Sequence, residues 1–259
     1  MYLCNMEMTN NLRKLIGALT QRKYRREYGL FKAEGTKCVV DTIKSFRLYT
    51  LVTTRRWADE HSELAAECSE HLVIVPARDI ERLSSLTTPQ EAIAIYHVPE
   101  YSFDPSKSCN ELIIALDSVQ DPGNLGTIMR TADWFGITDI VCSRNTADVY
   151  NPKVVQATMG AISRVRVHYV DLCDVLSILA ARIPVYGTFL DGESIYKANL
   201  TENGVIVMGN EGNGISADIA RYATNRLLIP SFSRGATSES LNVATATAIT
   251  VSEFRRRFN

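Results

Sequence analysis

Apolar positions fall along this chain in two rhythms. From Asn10 or Asn11 onward, Leu12, Leu15, Ile16 and Leu19 recur at helical spacing. The basic group Arg22, Lys23, Arg25 and Arg26 lies at the far end of that predicted helix, where cations suit its dipole. Phe31 to Glu34 reads as a short strand, and Gly35 leads into a helix through Val39, Val40 and Ile43. Leu48 to Thr53 is a β-branched strand and Arg55 to Cys68 a polar helix. Leu72 to Val75 is again a strand, Arg78 to Leu83 a short helix, and Ala92 to Val98 a strand. This alternation predicts a small α/β domain over residues 1–98, with residues 1–9 frayed ahead of the first helix. The pattern stops at PEYSFDPSKSCN, whose two prolines and three serines mark residues 99–110 as a linker. Over residues 111–259 alternation resumes, with strands near 112–116, 138–142, 165–170, 184–189, 205–208 and 226–229. These strands are continuous apolar runs, which predicts a parallel sheet with helices on both faces.

One stretch stands out, LIIALDSVQDPGNLGTIMRTADWFG from Leu112 to Gly136. A buried strand ends in the turn and capping residues Asp121, Pro122, Gly123 and Asn124, and a helix follows. On a helical wheel Leu125, Ile128, Met129 and Ala132 form the core stripe. Thr127, Arg130, Thr131 and Trp134 point elsewhere. An arginine and a tryptophan sharing the supposedly wet face imply that a ligand or a second subunit covers it.

Composition narrows the function classes. The chain has 259 residues, 46% of them apolar, which is room for two modest domains. Its formal net charge of -1 excludes an overall polycation. Residues 1–60 nonetheless carry twelve Lys or Arg against six Asp or Glu, so a solvated helix face and a nucleic-acid surface both remain open there. The six cysteines are scattered singly, without CxxC pairs or Cys/His clusters, so no metal site is expected. No apolar segment approaches the ~20 residues that span a bilayer. The start of the sequence lacks a basic-then-apolar leader pattern, and a soluble, cytoplasmic protein is expected.

Three strand-to-loop junctions of the second domain are unusually polar or glycine-rich. The first carries Asn124 and Arg130; the second is GVIVMGNEGNGI, with three glycines around Glu211; the third is LLIPSFSRGATSESLN. Ligands of open parallel sheets collect at the carboxyl ends of the strands, so three such loops predict one shared site. Gly209, Gly212 and Gly214 are spaced G-x-x-G-x-G, unlike a dinucleotide fingerprint, and no phosphate-binding G-x-x-x-x-G-K-[ST] loop exists. His61, His71, His97 and His168 are dispersed and no serine or cysteine elbow accompanies them. A dehydrogenase, a P-loop enzyme and a triad hydrolase are therefore disfavoured. A tight turn would explain the glycines, but not the carboxylate between them.

DPGNLGTIMRTADWFG, MGNEGNGI and LLIPSFSRGATSESLNVATATAI resemble the three ordered motifs of the SpoU/TrmH family of RNA ribose 2′-O-methyltransferases, in the SPOUT superfamily. The resemblance covers the whole second domain. The first domain, with EYGLFKAEGTKCVVDTI and TTPQEAIAIYHV, is similar to the L30e-like RNA substrate-binding domain often fused ahead of it. The resemblance implies an α/β parallel sheet closed by a deep trefoil knot, and a homodimer with its sites at the interface. Spacing alone proposes no knot. It further implies S-adenosylmethionine as cofactor and structured RNA, ribosomal or transfer, as partner.

Position by position, the resemblance implies that Arg130, Asn124, Glu211, Ser240 and Asn242 are catalytic. Thr188, Leu190, Gly209, Asn210, Glu211, Gly212, Ile229, Ser240, Leu241 and Asn242 would bind the cofactor. Arg22, Lys23, Arg25, Arg26 and Arg130 are the expected RNA contacts, with Tyr24 and Tyr28 interleaved for stacking or for ordinary packing. Arginine stays protonated in proteins, so Arg130 is expected to stabilise a developing alkoxide as a cation. Glu211 is expected to grip that guanidinium or to orient the cofactor. The alternative for a lone Arg130 is a surface ion pair with Asp133 or Glu211. The loop from Pro230 to Ser240 departs from the family form, having Ser231, Phe232, Ser233 and Arg234 where a compact Met-x-Gly turn is usual, which leaves the role of Gly235 open. That departure supports the competing reading, a non-catalytic RNA-binding or ribosome-assembly protein that keeps the fold.

Overall fold

The computed structural model describes residues 7–233 and 239–258. Most of the expected frayed segment, and Arg234 and Gly235 of the departing loop, lie outside the described residues. The chain forms two units, Met1–Glu100 with Asp148–Ser163, and Tyr101–Ala147 with Arg164–Asn259.

The first unit begins with α1 (Asn10–Ala18), capped by Thr9, whose hydroxyl accepts from the Leu12 amide at 3.1 Å. The basic cluster does not end this helix. It forms α2 (Arg22–Tyr28), which Gly29 closes in the left-handed conformation at φ 61°. There follow β1 (Leu30–Glu34), α3 (Thr36–Thr42), β2 (Leu48–Thr53), α4 (Arg55–Glu60), α5 (Ser62–Glu67), β3 (Leu72–Ile74), α6 (Ala77–Leu83) and β4 (Ala92–His97). The single polar helix expected over 55–68 is two helices, because His61 takes a non-helical φ of -119° and ψ of 45°. The strands form a sheet in the order β1-β4-β2-β3, in which only β2 and β3 run parallel. Leu12, Ile16 and Leu19 join Ile80 and Leu83 over Val52, Val73, Ile93 and Ile95 in one core. Phe31, Phe46 and Tyr96 form an aromatic cluster with ring centroids 5.2 to 5.5 Å apart.

The second unit contributes β5 (Leu112–Leu116), α7 (Pro122–Trp134) and β6 (Asp139–Ser143). The chain then returns to the first unit for α8 (Pro152–Thr158), a return that the expected unbroken domain over 111–259 did not contain. It continues with β7 (Arg166–Val170), α9 (Leu172–Ala180), β8 (Val185–Ser194), β9 (Gly204–Met208), α10 (Ala217–Ala220), β10 (Asn225–Leu228) and α11 (Val243–Arg256). All six strands are parallel, in the order β10-β8-β9-β5-β6-β7. Side chains alternate across β5, β9 and β6, so Ile113, Ala115, Val205, Val207 and Val141 face a core shared with Leu172, Leu176 and Leu179 of α9 and Ile219 of α10. On the other side α11 packs against β9 and α7, and Phe254 meets the edge of Tyr186 at 4.9 Å. Phe103 and Cys109, inside the expected linker, pack against the α9 core.

The wheel drawn for α7 matches its burial. Leu125, Ile128, Met129 and Ala132 are fully buried, Arg130 is exposed, and Trp134 is 85% exposed. Asp121 caps the helix by accepting from the Asn124 amide at 2.8 Å, and Pro122 occupies the first turn, where its missing N–H is not needed.

Candidate active site

Parallel strands end together at one edge, and the three special loops leave β5, β9 and β10 at that edge. The loop after β9 is the tightest. Asn210 and Gly214 exchange backbone hydrogen bonds at 2.9 and 3.0 Å, and the Asn210 side chain accepts from the amides of Gly212 and Asn213. Gly209 has no room for a side chain, since a Cβ there would lie well inside 3.0 Å of the Gly214 and Ile215 backbone. Gly214 sits at φ +69°, a conformation glycine adopts without strain. The glycines therefore do make a tight turn, and that turn aims Glu211 at the start of α7.

Glu211 is the hub. Its carboxylate accepts from Asn124 Nδ2 at 3.0 Å, from the Asp121 amide at 3.1 Å, and from the Gln120 amide and Asn210 Nδ2 at 3.3 Å each. Burial pushes this carboxyl upward, but the donors from Asn124 and the backbone amides outweigh it and hold the group below its ordinary range. Asn124 in turn accepts from Asn242 Nδ2 at 2.9 Å. The Asn242 oxygen caps α11, accepting from the Ala244 and Thr245 amides at 2.9 and 3.2 Å. One hydrogen-bonded chain, Glu211–Asn124–Asn242, thus joins all three loops.

Beside this chain lies a cavity of about 440 Å³ at the ends of β8, β9 and β10. Thr188, Leu190, Gly209, Asn210, Glu211, Gly212, Ile229, Ser240 and Leu241 line it, while Asn242 serves as cap and link to Asn124. Leu190 and Leu241 are 73% and 49% exposed, an apolar rim that water alone does not stabilise. Arg226 braces one lip: its guanidinium stacks 3.5 Å from the Phe189 ring centroid and pairs with Asp191 at 2.6 Å.

Arg130 is exposed on α7 and has no hydrogen-bond or ion-pair partner among the described residues. The expected grip by Glu211 is not formed, because Asn124, Asn210 and two amides already occupy that carboxylate. The ion pair with Asp133 is not formed either; Asp133 takes Arg164 bidentately at 2.8 Å. Arg130 is therefore a cation presented outward, without a partner among the described residues.

The basic cluster on α2 divides. Arg25 is 4% exposed; its guanidinium donates to Asp148 at 2.6 and 3.2 Å and to the carbonyls of Leu19 and Thr20 at 2.9 Å each. That side chain holds the unit together and is not presented to RNA. Arg22, Lys23 and Arg26 remain exposed, with Arg22 4.0 Å from Asp148. The Tyr24 and Tyr28 rings stack on each other at 6.1 Å.

Asp117, Ser118 and Ser143 belong to the site although the loops did not single them out. Asp117 is buried and accepts from the Ser216 amide at 2.8 Å. Ser118 takes a φ of 61°, rare for a residue with a side chain, so that its carbonyl accepts from Asn210 Nδ2 at 2.8 Å while its amide donates to Ser143 Oγ at 2.8 Å. The available signal was a polar Asp-Ser pair directly after an apolar strand.

A family model described as the SpoU rRNA methylase family matches residues 111–252, the stretch that carries the three loops, the cavity and Arg130. The chain belongs to the SpoU rRNA methylase family. A second model, an MRM3-like substrate-binding domain, matches residues 10–94 of this SpoU-family chain. The 23S rRNA (guanosine(2553)-2′-O)-methyltransferase RlmP of Bacillus subtilis is 30% identical over 239 residues, covering 92% of this chain and 93% of its own. A solved TrmH-family RNA methyltransferase from Porphyromonas gingivalis is 42% identical, with a TM-score of 0.86 over 96% of this chain and 99% of its own. An AdoMet-bound rRNA methyltransferase from Sinorhizobium meliloti is 32% identical, with a TM-score of 0.87 over 98% of both chains. Among the described residues no group of side chains suits a metal, and no helix is long and apolar enough to cross a membrane.

Proposed function

We propose that this chain methylates a ribose 2′-hydroxyl of 23S ribosomal RNA. It is an RNA ribose methyltransferase, and S-adenosylmethionine is its cofactor. The observation that carries the reading is the Glu211–Asn124–Asn242 chain, which brings the three family motifs to one edge beside a cavity of about 440 Å³. That volume falls within the range of roughly 300–1,000 Å³ typical of small-molecule sites. Its lining fits the cofactor chemically. Leu190, Ile229 and Leu241 offer an apolar bed for a purine, and Thr188, Gly209 and Ser240 offer hydroxyl and backbone groups for its polar edges.

The cofactor supplies a methyl group activated by a sulfonium. The chain's residues position the acceptor and stabilise charge, and positioning alone accounts for much of such a rate. As a guanidinium cation Arg130 stabilises the alkoxide that develops as the ribose hydroxyl gives its proton to a water or an RNA phosphate oxygen. Because no carboxylate among the described residues pairs with Arg130, its charge is available for a phosphate or an alkoxide of the RNA. Glu211 does not act as the base in this account; four donors hold it as an anion that fixes the start of α7, and with it Arg130. Asn124, Ser240 and Asn242 orient by hydrogen bonding.

Finer features belong to the same proposal. The second unit carries the trefoil knot of its family, and the first unit has the L30e-like fold, consistent with its mixed sheet flanked by helices. The exposed Arg130 and Trp134 face a second copy in a homodimer, and the protein works in the cytoplasm. Mapping ribose methylation across 23S rRNA from a strain lacking the gene tests the reading. One site should lose its methyl group and regain it with the wild-type chain but not with Arg130→Ala. No change at any ribose would reject the proposal, and titration calorimetry of the purified chain that shows no binding of S-adenosylmethionine would favour the non-catalytic reading instead.

A further inference from the structure

We propose that a basic groove between α1 and α6 docks the sugar–phosphate backbone of the RNA, at a place separate from the α2 cluster. This rests on the RNA-modifying reading above. The groove measures about 650 Å³, and Arg13 and Lys14 of α1 and Arg78, Asp79 and Arg82 of α6 line it. Arg78 and Arg82 are four residues apart and so share one helical face. The apolar residues of the same helices, Leu12, Ile16, Ile80 and Leu83, are buried in the core beneath. Four cations therefore meet one carboxylate.

That carboxylate is already committed. Asp79 takes Arg13 at 3.0 Å, and Arg13, aided by Arg78 and Arg82, holds its carboxyl below the ordinary range against the effect of burial. Lys14, Arg78 and Arg82 are exposed and have no hydrogen-bond or ion-pair partner among the described residues. Like charges gathered in one groove repel one another, and a polyanion relieves that repulsion. With a formal net charge of -1 for the whole chain, the concentration is local and not a result of composition.

The chemistry selects a phosphate backbone over the alternatives. Among the described residues no aromatic side chain lines the groove, so it positions RNA without stacking its bases. A membrane-surface helix pairs its cations with apolar side chains that insert into lipid, and here those side chains are buried.

The test uses the full chain and a short fluorescein-labelled RNA hairpin of arbitrary sequence, with anisotropy read across a potassium chloride series. Arg78→Ala with Arg82→Ala should weaken binding about tenfold at low salt. It should also flatten the slope of log K against log salt by roughly 1 to 2, since each phosphate contact contributes about 0.7 to 0.9. Melting temperature and S-adenosylmethionine affinity should stay at wild-type values, because both arginines are exposed and unpaired. The Arg78→Lys, Arg82→Lys pair should keep most of the slope, which separates charge from folding. Unchanged affinity and slope in the alanine pair would overturn the proposal. So would loss of binding to phosphatidylserine vesicles with RNA binding intact, which would assign the groove to a membrane. Methylation of 23S rRNA by the wild-type chain, measured alongside, tells the two readings apart. A wild type that methylates while the alanine pair binds RNA normally rejects the groove alone; a wild type that neither binds nor methylates rejects the enzymatic reading.

Discussion

Two glycines of the same turn should differ sharply in their response to the same substitution. At Gly209 a Cβ would overlap the Gly214 carbonyl carbon and the Ile215 amide, backbone atoms that cannot rotate away. Relief requires the 210–214 turn to move. Overpacking of this kind is unfavourable by about 1–3 kcal/mol. Moving the turn also strains the paired Asn210–Gly214 bonds and the 2.8 Å bond from Asn210 to Ser118, each contributing about 1 kcal/mol. A net loss of ~2 kcal/mol corresponds to a fall in melting temperature of roughly 4–8 °C for a domain of this size. The same turn lines the cavity and carries Glu211, so cofactor affinity should fall about tenfold or more. At Gly212 the nearest atom to an added Cβ is Asn210 Oδ1 at 3.6 Å, an ordinary contact, and no left-handed φ is involved. Gly212→Ala should therefore melt within about 0.5 kcal/mol of wild type. Scanning calorimetry without cofactor reads the first effect, and titration calorimetry with S-adenosylmethionine the second. Equal melting shifts for the two variants, or a wild-type melt for Gly209→Ala, would refute the reasoning.

Other consequences are equally direct. Arg130→Ala should lower methyl transfer about 10²- to 10³-fold while leaving melting and cofactor affinity unchanged, because the side chain meets no partner among the described residues; a normal turnover number would remove it from the chemistry. Arg25→Ala should destabilise the first unit by about 3 kcal/mol by removing the buried guanidinium that bonds Asp148 and two carbonyls. Arg26→Ala should melt normally, and equal melts would contradict the burial argument. Hydrogen bonding from Arg256, opposed by burial and aided by Arg257, holds the Glu253 carboxyl down to about 2. A carboxyl depressed on folding contributes stability above its unfolded pKa of ~4.3, and that contribution disappears as the pH falls through the folded value. Glu253→Gln should thus lower the melting temperature most near neutrality, with the difference shrinking in acid; a pH-independent difference would argue against the ion pairs.

Much of the second unit was legible because its strands announce themselves. Buried on both faces, β5 and β9 read as unbroken apolar runs, and β6 and the edge strand β7 carry apolar centres; each begins within a residue or so of where the pattern places it. Loops were legible where chemistry is unusual, as with a carboxylate among glycines. What the pattern does not encode depends on contacts distant in sequence or on single dihedral angles. Arg25 reads as a surface cation until Asp148, 123 residues away, closes over it. The division of 55–68 into α4 and α5 rests on the backbone of His61 alone. Ser118 gives no warning of its positive φ, and the partners of Asp133 and Glu211 exclude an ion pair that local spacing permits. The return of Asp148–Ser163 to the first unit is a long-range packing outcome that periodicity does not encode.

The central claim is that the edge joined by Glu211, Asn124 and Asn242 transfers a methyl group to a ribose oxygen. Its most direct test incubates the purified chain with unmodified 23S rRNA transcript and methyl-labelled S-adenosylmethionine, then digests the RNA to nucleosides and separates them. The account predicts label in a single 2′-O-methylnucleoside, absent with Arg130→Ala. Label on a base, or none above the level without enzyme, would contradict it.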